Sequence, residues 1–278
     1  MSDLSKIELI AHRKNWRDCT FVAFDTETSG AYPLGSEVVE FGAVKWSEGK
    51  IVDELQFLAK PREPMSDFII GIHGISNEMV QDKKPFIDSM ERVLSFFEDC
   101  YLMAHHAAFD MGFLAVEIEN AGRPFPKNPV LCTSLLAQKL IHGSENHKLQ
   151  TLVKFLKIDG GSAHRALDDA KSCLLVGLHC FEKMGEKGSV DEIFNVQTKI
   201  YQWDQFAMSK VKPEILEPLK KSIQQKKIIS IRYKKETRSI FPLGLVRQPD
   251  GDYISGICQR DHQRKRFFLN AVQELEWF

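Results

Sequence analysis

The chain has 278 residues, 43% hydrophobic and 27% charged, the profile of a globular protein with room for one large domain or a medium and a small one. Its net charge of −1 hides an asymmetry: residues 199–278 carry 16 Lys/Arg against 9 Asp/Glu, the remainder 21 against 29. No apolar run approaches the roughly 18 residues that span a bilayer, and residues 1–16 carry Asp3, Lys6, Glu8, Arg13 and Lys14 in place of a signal-peptide core, so a cytoplasmic location without a membrane partner is expected.

Residues 20–27 read as a buried strand, because Phe21, Val22, Ala23 and Phe24 follow one another. Strands over 37–46 and 51–58 follow, around a turn at Ser47-Glu48-Gly49-Lys50. The spacing of Ile87, Met90, Val93, Leu94 and Phe97 predicts a helix over 86–97. A short strand at 101–104 leads into a helix over 109–120, then a Pro-containing loop, a strand at 130–132 and a helix over 134–141. Helices over 149–156 and 166–184 complete the series. A three-strand meander followed by alternating strands and helices implies an α/β domain with a mixed sheet over 19–185, after an N-terminal extension over 1–18. Glycines at 185 and 188 mark a joint, and 186–212 reads as a linker with some helical character. Residues 213–278 form a small module: a helix from Pro213 to about 226, then four short strands over 228–233, 239–246, 253–259 and 266–272. The six cysteines, at 19, 100, 132, 173, 180 and 258, show no CxxC spacing and are expected to be reduced and structural.

Three segments carry chemistry. Asp25 and Glu27 stand at i and i+2 on an apolar strand and share one face, where they repel each other unless a cation joins them. Asp110 sits between a short strand and a helix, after His105 and His106. His164, Asp168 and Asp169 follow Gly160-Gly161. Each alone reads as a helix cap, a surface pair or a bonded core group. The three together point to a shared site for divalent cations, whose preferred ligands are clustered oxygens. Asp168 and Asp169 lie about 100° apart on a helix, so only one of them faces such ions.

With these residues in this order, the sequence resembles the DEDDh exonuclease family, which includes the proofreading epsilon subunit of bacterial DNA polymerase III. Asp25 and Glu27 match its first motif, Asp110 its second, and His164 with Asp169 its H-x4-D third; Ile72-His73-Gly74-Ile75 matches a segment that contacts the terminal nucleotide. The likeness covers about residues 19–183. It implies a ribonuclease-H-like mixed sheet flanked by helices, and hydrolysis from the 3′ end of DNA, at single-stranded or frayed ends, with release of nucleoside 5′-monophosphates. It also implies two divalent ions, Mg2+ or Mn2+. Asp25 is then the bridging ligand, Glu27 and Asp169 belong to one ion, Asp110 to the other, and His164 is the general base. Family spacing selects Asp169 over Asp168. Thr26, Thr28, His73, Ile75, His105, His106 and Phe109 are the implied substrate contacts. His106 stands where proofreading members commonly have asparagine.

The tail resembles a WYL domain, a small SH3- or Sm-like β module, over Ile228–Tyr233, Arg238–Gly244, Asp252-Tyr253-Ile254 and Arg266–Leu269, with Asp252 in place of the namesake tryptophan. Arg232, Arg238, Arg260, Arg264, Lys265 and Arg266, interleaved with Tyr233, Tyr253 and Phe267, suit a single strand of nucleic acid. The bland reading puts the rings in a core and the charges in water. Gln202–Phe206 faintly resembles a sliding-clamp-binding pentapeptide, against the alternative of a packed helix. Two other functions stay open: an exoribonuclease with the same chemistry, and an inactive nucleic-acid-binding regulator.

Overall fold

The computed structural model describes residues 14–185 and 188–277; most of the expected N-terminal extension lies outside them. The front half is built on a mixed sheet in the order β3-β2-β1-β4-β5. β1 (Phe21–Thr28), β2 (Val38–Ser47) and β3 (Lys50–Leu58) form the antiparallel meander, and β4 (Tyr101–Ala104) and β5 (Val130–Cys132) join in parallel. Between β3 and β4 lie α1 (Asp67–His73), α2 (Asn77–Val80), a 3-10 turn at Phe86–Ser89 and α3 (Met90–Phe96). The single helix expected over 86–97 is thus divided, and α1 and α2 are additions. After β4 come α4 (Ala108–Asn120), α5 (Thr133–Leu140), α6 (Leu149–Leu156), α7 (Ala166–Lys183) and α8 (Val190–Gln197), with β5 between α4 and α5.

β1 is buried on both faces because successive side chains point opposite ways and all are apolar from Phe21 to Phe24. Phe21 and Ala23 join Val44, Met103 and Leu131 beneath α5, α6, α7 and α8. Val22 and Phe24 join Phe41 and Leu102 beneath α3 and α4. The same alternation sends Asp25 and Glu27 towards α7 and Thr26 towards α4. Opposite Asp25 on β2 is Gly42, where a Cβ would collide with the backbone of Ala166 and Leu167. The first turn of α7 therefore rests directly on the sheet beside the carboxylates.

Much of the span expected as a linker is packed. The Gln197 side chain accepts from the Cys132 amide (2.7 Å) and donates to the Val130 carbonyl (3.3 Å), pairing the open edge of β5. Tyr201 bridges to Val130, and Tyr201, Trp203 and Phe206 lie in the core beneath α3 and α4. Trp203 stacks on Phe24 at 6.3 Å and donates its Nε1–H to the Asn128 carbonyl at 3.1 Å. This corrects the sliding-clamp reading of Gln202–Phe206: its two aromatic rings are 2% and 0% exposed and cannot dock elsewhere without opening the core.

The tail contains α9 (Pro213–Gln225) against an antiparallel sheet of β6 (Ile229–Tyr233), β7 (Glu236–Val246), β8 (Tyr253–Cys258), β9 (Arg264–Phe268) and β10 (Val272–Trp277), in the order β10-β6-β7-β8-β9. Five strands replace the four expected, because the chain turns through Leu269–Ala271 and returns beside β6. Phe267 is a core side chain of this sheet, packed with Leu219, Ile231 and Ile254, so it is not a stacking surface. All six cysteines are buried and unbridged. Among the described residues no helix is long and apolar enough to cross a membrane.

Trp203→Ala is expected to destabilise the protein by about 3–5 kcal/mol, the range for truncating a buried aromatic side chain. Urea denaturation measures it; a loss below about 1 kcal/mol would place the segment outside the cooperative core.

Candidate active site

Asp110 lies in the first turn of α4, and its Oδ1 accepts both the amide (3.0 Å) and the hydroxyl (2.8 Å) of Thr26. Asp169 lies in the first turn of α7; its Oδ2 accepts the His164 amide at 3.0 Å and its Oδ1 the Gln150 side-chain amide at 2.8 Å. Glu27, Asp169 and the His164 ring each place one ligand atom within 4.8 Å of the others. His164 is exposed and has a left-handed backbone (φ 60°).

Burial is the main influence on these carboxyls, and mutual repulsion adds to it. Asp25 is held well above the usual carboxylate range by burial and by Asp110, Glu27, Asp169 and Glu40. Glu27 is pushed up to about 8 by burial and then by Asp169, Glu40 and Asp110, with Arg165 offsetting part of this. Asp110 rises to about 7 through burial, despite its two bonds from Thr26. Asp169 is also raised by burial. Such a group carries its full charge at neutral pH only when cations join it, and its oxygen donors suit hard divalent ions. The residues present therefore fit a metal centre.

The remaining expected contacts divide. Phe109 is 43% exposed beside Asp110, with its ring 5.0 Å from Phe113, so it is open to a ligand. The Thr28 hydroxyl donates to the Gly30 carbonyl (2.7 Å), just beyond an irregularity in the β1–β2 pairing. His106 is exposed, edge-on to the His105 ring. Three of the expected contacts have side chains engaged inside the protein. The Thr26 side chain is engaged with Asp110 and positions a metal ligand. Ile75 is fully buried between β2 and α2 residues. His105 is buried, with Nδ1 against the Thr133 hydroxyl (2.9 Å) and Nε2 against the His147 carbonyl (3.0 Å); burial lowers it to about 3, so it is a neutral structural histidine. His73 is also buried; its Nδ1 accepts the Ile75 amide at 3.0 Å. Asp168 pairs locally, accepting the Ser162 amide at 2.8 Å.

Sequence reasoning missed Glu40. It lies on β2 directly opposite Glu27 and is fully buried. Its oxygens accept from Arg165 (Nη2 2.7 Å, Nε 3.2 Å), the Ala166 amide (3.0 Å) and the Gln56 amide (2.9 Å). Glu40 thus tethers the first residues of α7 and is a positioning residue for His164 and Asp169. The available signal was an acidic residue inside an apolar strand, which requires a partner.

Comparison with known proteins places this site in a family. The family model RNase_T, described as an exonuclease, matches residues 22–176, more than half of the chain. The chain belongs to this exonuclease family. It is a nuclease hydrolase of the DEDDh type, and that family uses divalent metal ions. The DNA polymerase III PolC-type protein of Halalkalibacterium halodurans is 37% identical over 155 residues, 56% of this chain and 11% of that protein. The one from Thermotoga petrophila is 31% identical over 258 residues, 91% of this chain and 19% of the relative. The chain therefore spans a small part of these relatives. Among solved structures, the nuclease domain of 3′hExo, a DEDDh member bound to rAMP, is 18% identical, with 68% of this chain and 99% of that one covered and a TM-score of 0.54. E. coli ExoI with single-stranded DNA is 16% identical over 86% of this chain and 54% of that one, also at 0.54. Both structures share the fold.

Two outcomes follow from the charges. The raised carboxyls hold more protons in the fold than in the unfolded chain, so the metal-free protein loses stability as pH rises from about 4.5 through about 8. Thermal melting across that range checks it, and a Tm rising with pH would contradict it; added Mn2+ is expected to remove the decline, because ions displace those protons. Glu40→Gln keeps the volume and removes the charge. Nucleotide release is expected to fall at least 10-fold with far-UV circular dichroism retained, and unchanged release would mean that Gly42 alone seats α7.

Proposed function

We propose that this exonuclease removes nucleotides one at a time from the 3′ end of DNA, at single-stranded or frayed termini, with two divalent ions, Mg2+ or Mn2+, at the carboxylate cluster. The convergence of Asp25, Glu27, Asp110 and Asp169 beside the His164 ring carries this reading. Asp25, which feels the charge of the other three, would be shared by both ions, Glu27 and Asp169 would hold one, and Asp110 the other. When bound, the ions neutralise charge on the phosphate and on the departing oxygen. His164 takes the proton of the attacking water. The water oxygen bonds to phosphorus and the bond to the 3′ oxygen breaks, leaving a nucleoside 5′-monophosphate and a shortened strand whose 3′ oxygen takes up a proton. Phe109 packs on the terminal base, and the Thr28 backbone meets the terminal 3′-OH.

The likeness to PolC-type DNA polymerases favours DNA over RNA. The RNA reading keeps the same chemistry and is favoured by no contact seen here. We read the tail, with its five-stranded sheet, as a WYL-like accessory module, and the protein as a cytoplasmic enzyme of DNA repair or end-processing. Residues 19–185 are then the exonuclease domain and 213–278 the module; between them Tyr201, Trp203 and Phe206 pack on the former, and Met208 and Val211 join the core of the latter.

Asp25→Asn removes the proposed shared ligand, so release from a 3′-labelled strand is expected to drop at least 1,000-fold with the fold kept. Equal release by variant and wild type would remove the active site from this cluster. Matched DNA and RNA strands decide the substrate, with faster release from DNA expected.

A further inference from the structure

We propose that the exposed side of β9, formed by Arg264, Arg266 and Phe268 together with Tyr32, is a track for the strand of nucleic acid upstream of the 3′ end. This rests on the nuclease reading above and adds where the rest of the substrate lies.

β9 is the edge strand of the tail sheet. Alternate residues share a face, so Arg264, Arg266 and Phe268 point away from the core that holds Phe267. All three are exposed. Arg266 lies over the Tyr253 ring at 4.8 Å, and Phe268 sits edge-on to the same ring at 6.1 Å. The other cations expected to grip nucleic acid face carboxylates: Arg232 with Glu274, Arg238 and Arg260 with Glu236, Lys265 with Asp261. Among the described residues, Arg264 and Arg266 have no such partner. Two cations free of carboxylates, beside the exposed Phe268 ring and the half-buried Tyr32 ring, suit a single strand, phosphates meeting the former and bases the latter. An acidic protein surface would use the cations and leave the rings idle.

The chain ties this face to the site. The loop after β1 lies against this same face: the Ser255 hydroxyl donates to Tyr32 Oη at 2.8 Å, and Arg264 Nη1 reaches it at 3.4 Å. Leu34 and Leu245 exchange backbone hydrogen bonds at 3.2 and 3.0 Å. A Cβ on Gly244 would collide with the Tyr32 side chain, so the two halves meet closely. Tyr32 is four positions after Thr28, at most about 14 Å of chain. Adding the tyrosine side chain and the 3.4 Å contact to its hydroxyl puts the Arg264 guanidinium within about 24 Å of Thr28, about seven stacked nucleotides or fewer.

The test uses the full chain carrying Arg264→Glu and Arg266→Glu, with a 3′-labelled trinucleotide and a 30-nucleotide single strand. KM for the long strand is expected to rise at least 10-fold while the trinucleotide changes less than twofold. The slope of log KM against log salt is expected to fall by about 1.4, two phosphate contacts at roughly 0.7 each. Arg264→Gln with Arg266→Gln should move KM in the same direction by less. An equal loss on both substrates, or no loss on either, overturns the track. If wild type releases nothing from any strand, the nuclease reading fails separately. Fluorescence anisotropy of a labelled 30-mer then still decides the track: weaker binding by the variant supports it, and equal binding overturns it.

Discussion

Carboxylates crowded into a space with little water repel one another, and the fold has to hold them there before any ion arrives. Asp25 and Glu27 are fixed by β1, which is paired with β2 along its length and with β4 up to Ala23. Asp110 is held by Thr26 from the opposite side of the same strand. Asp169 arrives on α7, whose first turn sits on Gly42 because no side chain intervenes. Glu40 adds a further buried negative charge next to this cluster, and Arg165 with the Ala166 amide compensates it. A buried pair of this kind contributes little net stability but costs heavily when one member is removed. Its value lies in geometry: the strand that faces Glu27 also anchors the helix that carries Asp169.

How much of this could be read from the sequence depended on whether the chemistry was local. Asp25 and Glu27 are two residues apart on an apolar strand, so their shared face follows from strand periodicity alone. The mixed sheet was equally legible from its meander and alternating elements. The link from β1 to Asp110 and Asp169 required the ordered set of motifs, because nothing in composition brings residues 25, 110 and 169 together. Glu40 escaped notice because its partner is 125 residues away. α1 and α2, with seven and four residues, are too short to show a helical period; their Ser66 and Ser76 caps were the available signs. Thr26 and His105 were assigned to substrate because they adjoin ligands, whereas their hydrogen bonds are spent inside the protein.

The tail shows the opposite balance. Its strands alternate clearly, yet the turn at Leu269–Ala271 contains neither Gly nor Pro, so two strands read as one. Its basic charge was visible from counting alone, but counting could not tell a paired arginine from an open one. Salt bridges to Glu236, Asp261 and Glu274 absorb much of the apparent positive field and leave Arg264 and Arg266 distinct.

Gln197 has a bearing on how this protein can be handled. Its side-chain amide stands in for a neighbouring strand along β5, and Tyr201, Trp203 and Phe206 seal the apolar surface nearby. A fragment trimmed after α7 would keep every motif of the nuclease and still bare an unsatisfied backbone ridge beside an uncovered patch of rings. Such edges recruit other chains. Loss of solubility in a minimal fragment would therefore report on this missing cover and carry no information about the catalytic centre.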